Sequence, residues 1–328
     1  MSFVAEAEKK VLDGGELGRE EALRLVSEDL EELRAAADEV RRAFHGDDFD
    51  FCAIVNARSG RCSENCRFCA QSAFHRTGVP EHGMLSAEAI LADAKKKEAA
   101  GIPRYSMVTS GRTLSDADVE TVCEATRLIL AETRLSVCLS AGLLSRGQFE
   151  RLKDAGLARF HNNLETSRRF FPSVCTTHSY DDKIAALENA SAAGLEICSG
   201  GILGLGETME DRIDMCLDLR SLGVESTPMN VLNAIPGTPF ESLPKLSNDE
   251  FCRTVAIFRL VNPKARLRLA GGRSVLGDDG ERALRSGANA AITDDMLTTS
   301  GVCSERDFEL VRRLGFRPHG FLPRKETK

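Results

Sequence analysis

The sequence of 328 residues contains no tryptophan and only two tyrosines, and it has no apolar stretch long enough to cross a membrane. Its N-terminus lacks the basic segment and apolar run of a signal peptide, so the sequence predicts neither secretion nor a membrane anchor. Acidic residues outnumber basic ones by 50 to 43, which gives a net charge of −7. This balance argues against nucleic acid or an anionic membrane surface as a partner, because both attract positive charge. We therefore expect a cytoplasmic globular protein.

Cysteine is unusually frequent, with 11 in the chain. An odd number without a signal peptide argues against a disulfide framework, because cytoplasmic cysteines stay reduced. Reduced cysteines serve as metal ligands, as catalytic groups or as small core residues. Cys123, Cys216 and Cys252 fall at apolar positions of predicted helices and are expected in the core, whereas Cys303 is expected to be a surface thiol.

Short apolar or β-branched runs alternate with amphipathic helical stretches along most of the chain. The eight runs with strand character are FDFCAIVNA, RYSMVTSG, RLSVCLSAG, RFHNNLET, EICSGGILG, STPMNVLNA, RLRLAGG and AAITDDML. This alternation predicts an α/β fold, a (β/α)8 barrel of the TIM type, with an open doubly wound sheet as the alternative. In such a barrel, functional side chains lie at the carboxyl ends of the strands.

Three segments are predicted along the chain. Residues 1–45 are expected to form an N-terminal helical extension, because apolar residues follow helical spacing in two stretches between Glu16 and Phe44. Residues 46–320 are expected to form the barrel, since no linker or low-complexity tract interrupts them. A last helix is predicted in SERDFELVRRLGFRP, followed by a solvated tail at 321–328.

Three cysteines follow the first predicted strand directly, in the loop RCSENCRFC. Cys62, Cys66 and Cys69 lie within eight residues, and thiols so close together indicate a bound metal rather than core packing. Zinc is one interpretation, although a structural zinc takes four ligands and no fourth cysteine or histidine follows at zinc-finger spacing. A [4Fe–4S] cube is the other; with three cysteine ligands it keeps one iron open for a substrate or cofactor. Phe68 would then shield one face of the cluster.

The CxxxCxxC loop after the first barrel strand resembles the signature of the radical S-adenosylmethionine enzymes. Three further stretches, HNNLETS, CSGGILGLGE and NVLNAIPGTP, together with CRFCAQSA, make the chain from about residue 46 onward similar to the biotin synthase family. The resemblance implies that Cys62, Cys66 and Cys69 hold a [4Fe–4S] cluster. Its open iron would bind the amino and carboxylate groups of S-adenosylmethionine.

The resemblance also implies contacts to this cofactor. Asn163 would contact cofactor and substrate, and Glu165 the ribose, where many relatives have aspartate. Because the two residues alternate on the predicted fourth strand, both side chains are expected to point the same way. His178 stands where relatives carry an arginine near the cofactor carboxylate, and it can supply a single charged hydrogen bond. The other expected cofactor residues are Phe68, Gly200 and Ile202, the last two on a glycine-rich turn for the adenine edge that, taken alone, fits an ordinary tight turn.

For the substrate, the resemblance implies that Asn230 contacts a ureido group and that Thr298 and Thr299 contact a carboxylate, with Asn163 as a further contact. Judged from the residues alone, Asn230 fits a turn residue that satisfies the backbone equally well.

The resemblance further implies an auxiliary iron–sulfur cluster inside the barrel, held by three cysteines and an arginine. Cys138, Cys198 and Arg268 match three of these positions. Ser106 stands where the family has a cysteine on the second strand, and serine is a poor ligand for an iron–sulfur cluster. The fourth position therefore departs from the family pattern.

Barrel geometry suggests a replacement for the missing cysteine. A layer of the barrel interior draws its four side chains from alternate strands. Cys138, Cys198 and Arg268 belong to predicted strands 3, 5 and 7, so the missing member is expected on strand 1, which carries Cys52. We predict that Cys52, Cys138 and Cys198 hold an auxiliary cluster of two-iron or four-iron type, with Arg268 as the fourth ligand or a nearby charge. Cys175 is the competing ligand, and the alternative for Cys52 is a buried core residue.

The expected activity is insertion of sulfur from the auxiliary cluster into dethiobiotin to form biotin, with no catalytic side chain beyond the clusters. The expected partners are dethiobiotin, a one-electron donor of flavodoxin or ferredoxin type, and a second copy in a homodimer. Two alternatives remain. One is a radical enzyme acting on another small substrate, which the departures at Ser106 and His178 keep open. The other is a non-catalytic iron–sulfur or zinc protein.

Overall fold

Parallel strands close into a barrel in the computed structural model, which describes residues 1–318. The strands are β1 (Asp48–Arg58), β2 (Arg104–Thr109), β3 (Ser136–Ser140), β4 (Arg159–His161), β5 (Glu196–Cys198), β6 (Gly201–Leu203), β7 (Ser226–Val231), β8 (Arg266–Leu269) and β9 (Ala290–Ile292). Both β5 and β6 pair with β7, so together they occupy one position, and β9 pairs with β1 to close the ring. The prediction of a (β/α)8 barrel is confirmed, and the open sheet was the wrong alternative. A last short strand, β10 (Arg317–Pro318), adds to the start of β1.

The helices surround this barrel. They are α1 (Phe3–Leu12), α2 (Arg19–Arg24), α3 (Leu30–His45), α4 (Ala87–Ala99), α5 (Asp116–Glu132), α6 (Arg146–Asp154), α7 (Tyr180–Ala192), α8 (Met209–Ser221), α9 (Asn248–Val261), α10 (Glu281–Leu284) and α11 (Ser304–Arg313). Each of the six helices α4 to α9 begins after a serine or threonine whose hydroxyl accepts a hydrogen bond from a backbone N–H of the first turn. Such a cap marks the start of each helix that alternates with the barrel strands in this part of the chain. No helix among residues 1–318 is long and apolar enough to span a membrane.

The N-terminal region contains one helix more than predicted. Helices α2 and α3 occupy the stretch between Glu16 and Phe44, but α1 precedes it and was missed. Its buried stripe consists of Val4, Ala7 and Val11, which follow the spacing of a helix, so the signal was present in the sequence. α1 packs on α3, and α3 packs on α9 of the barrel wall. The predicted tail at 321–328 lies outside the described residues.

The loops after β1, β4 and β7 meet at the carboxyl end of the barrel. The Arg67 amide donates to the Val174 carbonyl at 2.9 Å, joining the first loop to the second. Gly237, in the loop after β7, has a φ of +85°, and a Cβ there would lie 2.3 Å from the Arg76 carbonyl. Only glycine allows this close approach. The cysteine loop is therefore held between two neighbouring loops.

Candidate active site

A cavity of about 330 Å³ lies inside the barrel and extends to these loops. The predicted site residues that line it are Cys52, Phe68, Cys69, Cys138, Asn163, Glu165, Cys198, Ile202, Asn230, Arg268, Thr298 and Thr299. Five others do not belong to its lining: Cys62, Cys66, Cys175, His178 and Gly200. Residues predicted for the cofactor, the substrate and the auxiliary cluster thus share one space.

The cysteine loop has a fixed backbone and partly exposed thiols. The Cys62 amide donates to the Gln71 carbonyl at 3.0 Å, and the Cys62 carbonyl accepts from the Ala73 amide at 2.8 Å. The Cys69 amide donates to the Cys66 carbonyl at 3.0 Å, which closes a turn between these two cysteines. All three thiols belong to half-buried residues. An iron cube binds each cysteine through a different iron, so this open arrangement fits a cube better than a single ion.

A second group of ligand-capable side chains lies beside this loop. The sulfur atoms of Cys66 and Cys175 and a ring nitrogen of His178 lie within 4.8 Å of one another. The loop after β4 brings them there, since Asn65 bonds to Thr176 both through its Nδ2 donor at 2.7 Å and its Oδ1 acceptor at 2.9 Å. The sequence offered no fourth ligand at zinc-finger spacing, but the fold supplies a cysteine and a histidine from far along the chain. Cys175, the competing ligand for the auxiliary cluster, lies next to Cys66.

The electrostatics of this group are dominated by short contacts. A hydrogen bond from the Cys66 thiol lowers the pKa of Cys175 to about 3, and the same bond raises the pKa of Cys66. His178 Nδ1 lies 2.5 Å from a carboxylate oxygen of Glu64 and 3.4 Å from the Cys175 sulfur. His178 was expected near the cofactor carboxylate, but here its Nδ1 faces Glu64.

Lys183 is a buried cation that sequence reasoning missed. It lies in the first half of α7, only 7% exposed, and its Nζ donates to Asn162 Oδ1 at 2.9 Å. No carboxylate among residues 1–318 lies within ion-pair distance of it. Its charge reaches Glu165 and Cys66, since it opposes the rise in pKa of both. In the sequence YDDKIAALE it has the pattern of an ordinary solvated helix lysine, so no local signal could have revealed it.

Asn163 and Glu165 lie just beyond the end of β4 rather than on it, yet both line the cavity, as their alternation predicted. Glu165 has a φ of +71°, which is rare for a residue with a side chain. Its buried Oε2 has no hydrogen-bond partner within residues 1–318, and burial raises the pKa of this carboxyl. A strained residue with an unpartnered acceptor in a cavity is typical of a binding site.

Gly200 has a packing role at this position. A Cβ on Gly200 would lie 1.9 Å from the Pro228 carbonyl on β7, so no larger residue fits. Its amide donates to Asn163 Oδ1 at 3.1 Å, which positions that side chain. Ile202, two residues later, lines the cavity itself.

Asn230 joins two strands through its amide group. Its Nδ2 donates to the Gly201 carbonyl at 3.0 Å, and its Oδ1 accepts from the Gly271 amide at 2.9 Å. One N–H and one lone pair of this side chain remain for another partner. Thr298 and Thr299 follow β9 and line the same cavity.

The strand cysteines lie around the part of the cavity enclosed by the barrel. Cys52, Cys138 and Cys198 are all buried, and burial raises the pKa of Cys52 to about 12 and also that of Cys138. Ser106, the departure from the family pattern, pairs with Cys138 in the β2–β3 register and lines the same space. Cys52 thus lies on the cavity wall, as predicted from the barrel layers. The role of Cys52 as a ligand stays a prediction.

Charged neighbours of these cysteines were not anticipated. Arg104 Nη1 lies 3.8 Å from the Cys138 sulfur, and His161 Nδ1 lies 3.4 Å from the Cys198 sulfur. Burial lowers the pKa of His161 to about 4. Arg159 also lines the cavity and donates to Glu196 at 2.7 Å. Sequence reasoning missed these residues, although a signal was present: Arg104 stands two residues before Ser106 on β2, so alternation along the strand places both on the same face.

Asp50 holds the arginines of this layer. It is 3% exposed, its carboxylate forms an ion pair with Arg268, and one oxygen lies 3.6 Å from Arg104 Nε. Burial alone would raise the pKa of Asp50, but the two guanidinium groups outweigh burial and lower it to about 2. The buried side chains of this layer therefore carry a net positive charge, which favours the binding of an anionic group.

Comparison with known proteins assigns this site to a family. The model of the radical SAM superfamily matches residues 57–219, and that of the biotin and thiamin synthesis associated domain matches residues 228–317. The biotin synthase of Akkermansia muciniphila is 51% identical over 316 residues, covering 96% of this chain and 98% of that protein. Biotin synthase 2 of Corynebacterium diphtheriae is 51% identical over 317 residues, covering 96% of each. The chain belongs to the biotin synthase family.

Two solved structures of low sequence identity share the fold of this chain. Methylornithine synthase superimposes with a TM-score of 0.81 at 19% identity, over 95% of this chain and 97% of that one. The hydrogenase maturase HydG superimposes with a TM-score of 0.83 at 16% identity, over 96% of this chain and 75% of that one. Both carry the barrel described above.

Family membership also gives the cofactors: a [4Fe–4S] cluster, S-adenosylmethionine and an auxiliary iron–sulfur cluster. The residues present fit these groups. The three loop thiols supply soft ligands, Glu165 offers an unpartnered acceptor, and the strand layer combines three buried cysteines with excess positive charge.

Proposed function

We propose that this chain inserts sulfur into dethiobiotin to form biotin. The observation that carries the proposal is a single cavity lined at one end by the cysteine loop, through Cys69, and farther inside by Cys52, Cys138 and Cys198. Between them lies a space of about 330 Å³, suited to a small substrate held between two metal centres.

Cys62, Cys66 and Cys69 would hold the [4Fe–4S] cluster, and Cys52, Cys138 and Cys198 the auxiliary cluster. When bound, the clusters and S-adenosylmethionine supply the one-electron reduction, the hydrogen-abstracting radical and the inserted sulfur. The polypeptide binds and orients the small molecules and excludes water and competing hydrogen donors. A closed barrel with apolar walls can do this.

S-adenosylmethionine would be held through its polar ends. Glu165, with its unpartnered Oε2, would accept from the ribose hydroxyls, and Asn163 would contact both cofactor and substrate. Lys183 would bind the cofactor carboxylate, because it is a buried ammonium near Cys66 without a carboxylate partner among the described residues. The contact of His178 with Glu64 favours Lys183 over His178 for this role.

The substrate would be held by Asn230, Thr298 and Thr299, which also line the cavity. The remaining N–H and lone pair of Asn230 match the donors and acceptors of a ureido group. Thr298 and Thr299 would donate hydroxyl hydrogen bonds to the carboxylate. Asn230 is fixed by two backbone contacts, so the ureido ring would meet a rigid partner.

For Arg268, the contacts support a nearby charge rather than a fourth ligand. Its Nη1 donates to the carbonyls of Asp50 and Ala291 at 3.0 Å each, and its Nη2 pairs with the Asp50 carboxylate. A guanidinium donates hydrogen bonds and offers no lone pair to a metal. Held in this way, Arg268 would balance the negative charge of a thiolate-bound cluster.

Anaerobically reconstituted protein with dithionite, S-adenosylmethionine and dethiobiotin is expected to yield biotin and 5′-deoxyadenosine. Both products are measured by mass spectrometry. Deoxyadenosine without biotin would keep the chain in the superfamily but reject the substrate. Absence of both products would favour a non-catalytic iron–sulfur protein.

Lys183→Met is expected to weaken binding of S-adenosylmethionine about 10- to 100-fold, because a hydrogen bond to a charged group contributes about 1.5–3 kcal/mol. Anaerobic equilibrium dialysis measures the dissociation constant, and iron analysis checks that the clusters are intact. Lys183→Arg is the matched control, since it keeps the charge and should restore much of the affinity. Equal affinity in the methionine variant and the wild type would show that Lys183 does not touch the cofactor.

A further inference from the structure

The segment that carries the cysteine loop is opposite in charge to the whole chain. Between residues 58 and 80 there are four arginines and a single carboxylate, whereas the chain as a whole has a net charge of −7. That carboxylate, Glu64, is 6% exposed and forms hydrogen bonds with His178 and Thr177. The solvent side of the loop is therefore positively charged.

Three of these arginines are exposed, and two lack an acidic partner. Arg61 pairs with Glu81 at 2.6 Å. The Arg67 guanidinium donates to the Ser173 carbonyl at 3.3 Å and lies 4.8 Å from the centre of the Phe240 ring. No carboxylate among residues 1–318 lies within ion-pair distance of Arg67 or Arg76. Unpaired exposed cations of this kind attract an acidic surface.

An exposed aromatic side chain lies among them. Phe74 is 63% exposed, and no other aromatic residue within 1–318 is among the exposed large apolar side chains. Aromatic residues are enriched in protein–protein interfaces relative to the rest of the surface. The backbone at this position is anchored, because the Phe74 amide donates to Ser72 Oγ at 3.2 Å.

This surface lies directly on the cysteine loop. Both sequence neighbours of Phe74 form hydrogen bonds with the cysteine loop. The Ala73 amide donates to the Cys62 carbonyl at 2.8 Å, and His75 Nε2 donates to the Cys66 carbonyl at 3.1 Å. Arg67 follows Cys66 in sequence. A protein docked on Phe74 would thus come close to any group that the loop holds.

We propose that Arg61, Arg67, Phe74 and Arg76 form the docking surface for the electron-carrier protein that reduces the loop cluster, and that the carrier presents carboxylates to it. The inference rests on the proposed function, which needs one electron delivered from outside. Charge selects the occupant: a second copy docked symmetrically through this surface would bring the same arginines face to face, whereas a carrier that presents carboxylates meets a local positive patch. The aromatic ring supplies apolar contact at the centre of that patch.

The test compares two reductants, dithionite and an enzymatically reduced bacterial flavodoxin. For the Arg67→Glu/Arg76→Glu double variant and for Phe74→Ser, the kcat/KM for flavodoxin should fall about 10-fold or more, while the dithionite-driven rate stays within about two-fold of the wild type. The flavodoxin-driven rate of the wild type should also fall with added salt, and that of the double variant much less. Arg127→Glu, a charge reversal on the exposed face of α5, is the matched control and should behave as wild type.

Equal flavodoxin rates in the variants and the wild type would overturn the proposal. An equal loss with both reductants would also overturn it, because the residues would then serve the cluster itself. A change in oligomeric state in either variant, measured by light scattering, would assign the surface to a second copy instead. If the wild type forms no biotin, the proposed function fails, but the rate of cluster bleaching by reduced flavodoxin still tests the surface.

Discussion

Cys66→Ala is expected to abolish the formation of both biotin and 5′-deoxyadenosine, the largest effect of any single substitution proposed for this chain. Cys66 is the central cysteine of the loop, and its loss leaves two thiols where the cube takes three. Product analysis after anaerobic reconstitution measures the loss, and iron content should fall by the share of one cluster. Cys303→Ala removes an exposed cysteine and is the control, with full activity expected.

The position of Cys175 makes this experiment sharper. Its sulfur lies beside Cys66, so Cys175 can replace the lost ligand with a thiolate, whereas His178 of the same group offers a ring nitrogen. Residual deoxyadenosine in Cys66→Ala that disappears in Cys66→Ala/Cys175→Ala would show such a replacement. Activity that persists in the double variant would contradict the assignment of the loop as the cluster site.

Cys52→Ala is expected to lose biotin formation while it keeps the cleavage of S-adenosylmethionine. The loop cluster lies in a separate part of the cavity wall, so the variant should retain iron for one cube, about four atoms per chain, and lose the iron of the auxiliary cluster. Iron and sulfide analysis, with Mössbauer spectroscopy of the reconstituted protein, measures this division. Deoxyadenosine without biotin is the accompanying kinetic result.

Cys175→Ala is the comparison that separates the two candidate ligands. Because Cys175 lies beside Cys66 and outside the cavity lining, this variant should keep the auxiliary iron. If Cys52→Ala keeps its full auxiliary iron, Cys52 is not a ligand and the prediction from the strand layer is wrong.

Arg268→Lys retains a positive charge beside Asp50 and should keep most of the auxiliary iron if Arg268 acts as a charge. Loss of that iron would favour direct ligation by Arg268.

The fold could be predicted from the sequence because its signals are local. Each of the helices α4 to α9 begins at a serine or threonine cap, and the barrel strands lie within short apolar or β-branched runs. Helix α1 was missed although Val4, Ala7 and Val11 follow the spacing of a helix. Its place is determined by packing on α3, a contact that no local pattern encodes.

Part of the candidate site could likewise be predicted from the sequence, and part could not. The spacing of Cys62, Cys66 and Cys69 brings three thiols into one loop by chain geometry alone. Asn163 and Glu165 both line the cavity as predicted, but they lie beyond the end of β4, so strand alternation is not the reason. The place of Cys52 on the cavity wall could also be anticipated, because alternate barrel strands contribute to one layer and strand 1 carries Cys52. Its role as a ligand stays a prediction.

The sequence by itself thus determined the barrel, the cysteine loop and the family. Only the tertiary structure decided which distant groups meet: Cys175 and His178 beside Cys66, Lys183 near Glu165, and Asp50 against Arg268. These pairs join different strands, loops and helices. Their contacts depend on the closure and register of the barrel, which bring together residues up to 218 positions apart. Local spacing carries no record of that closure.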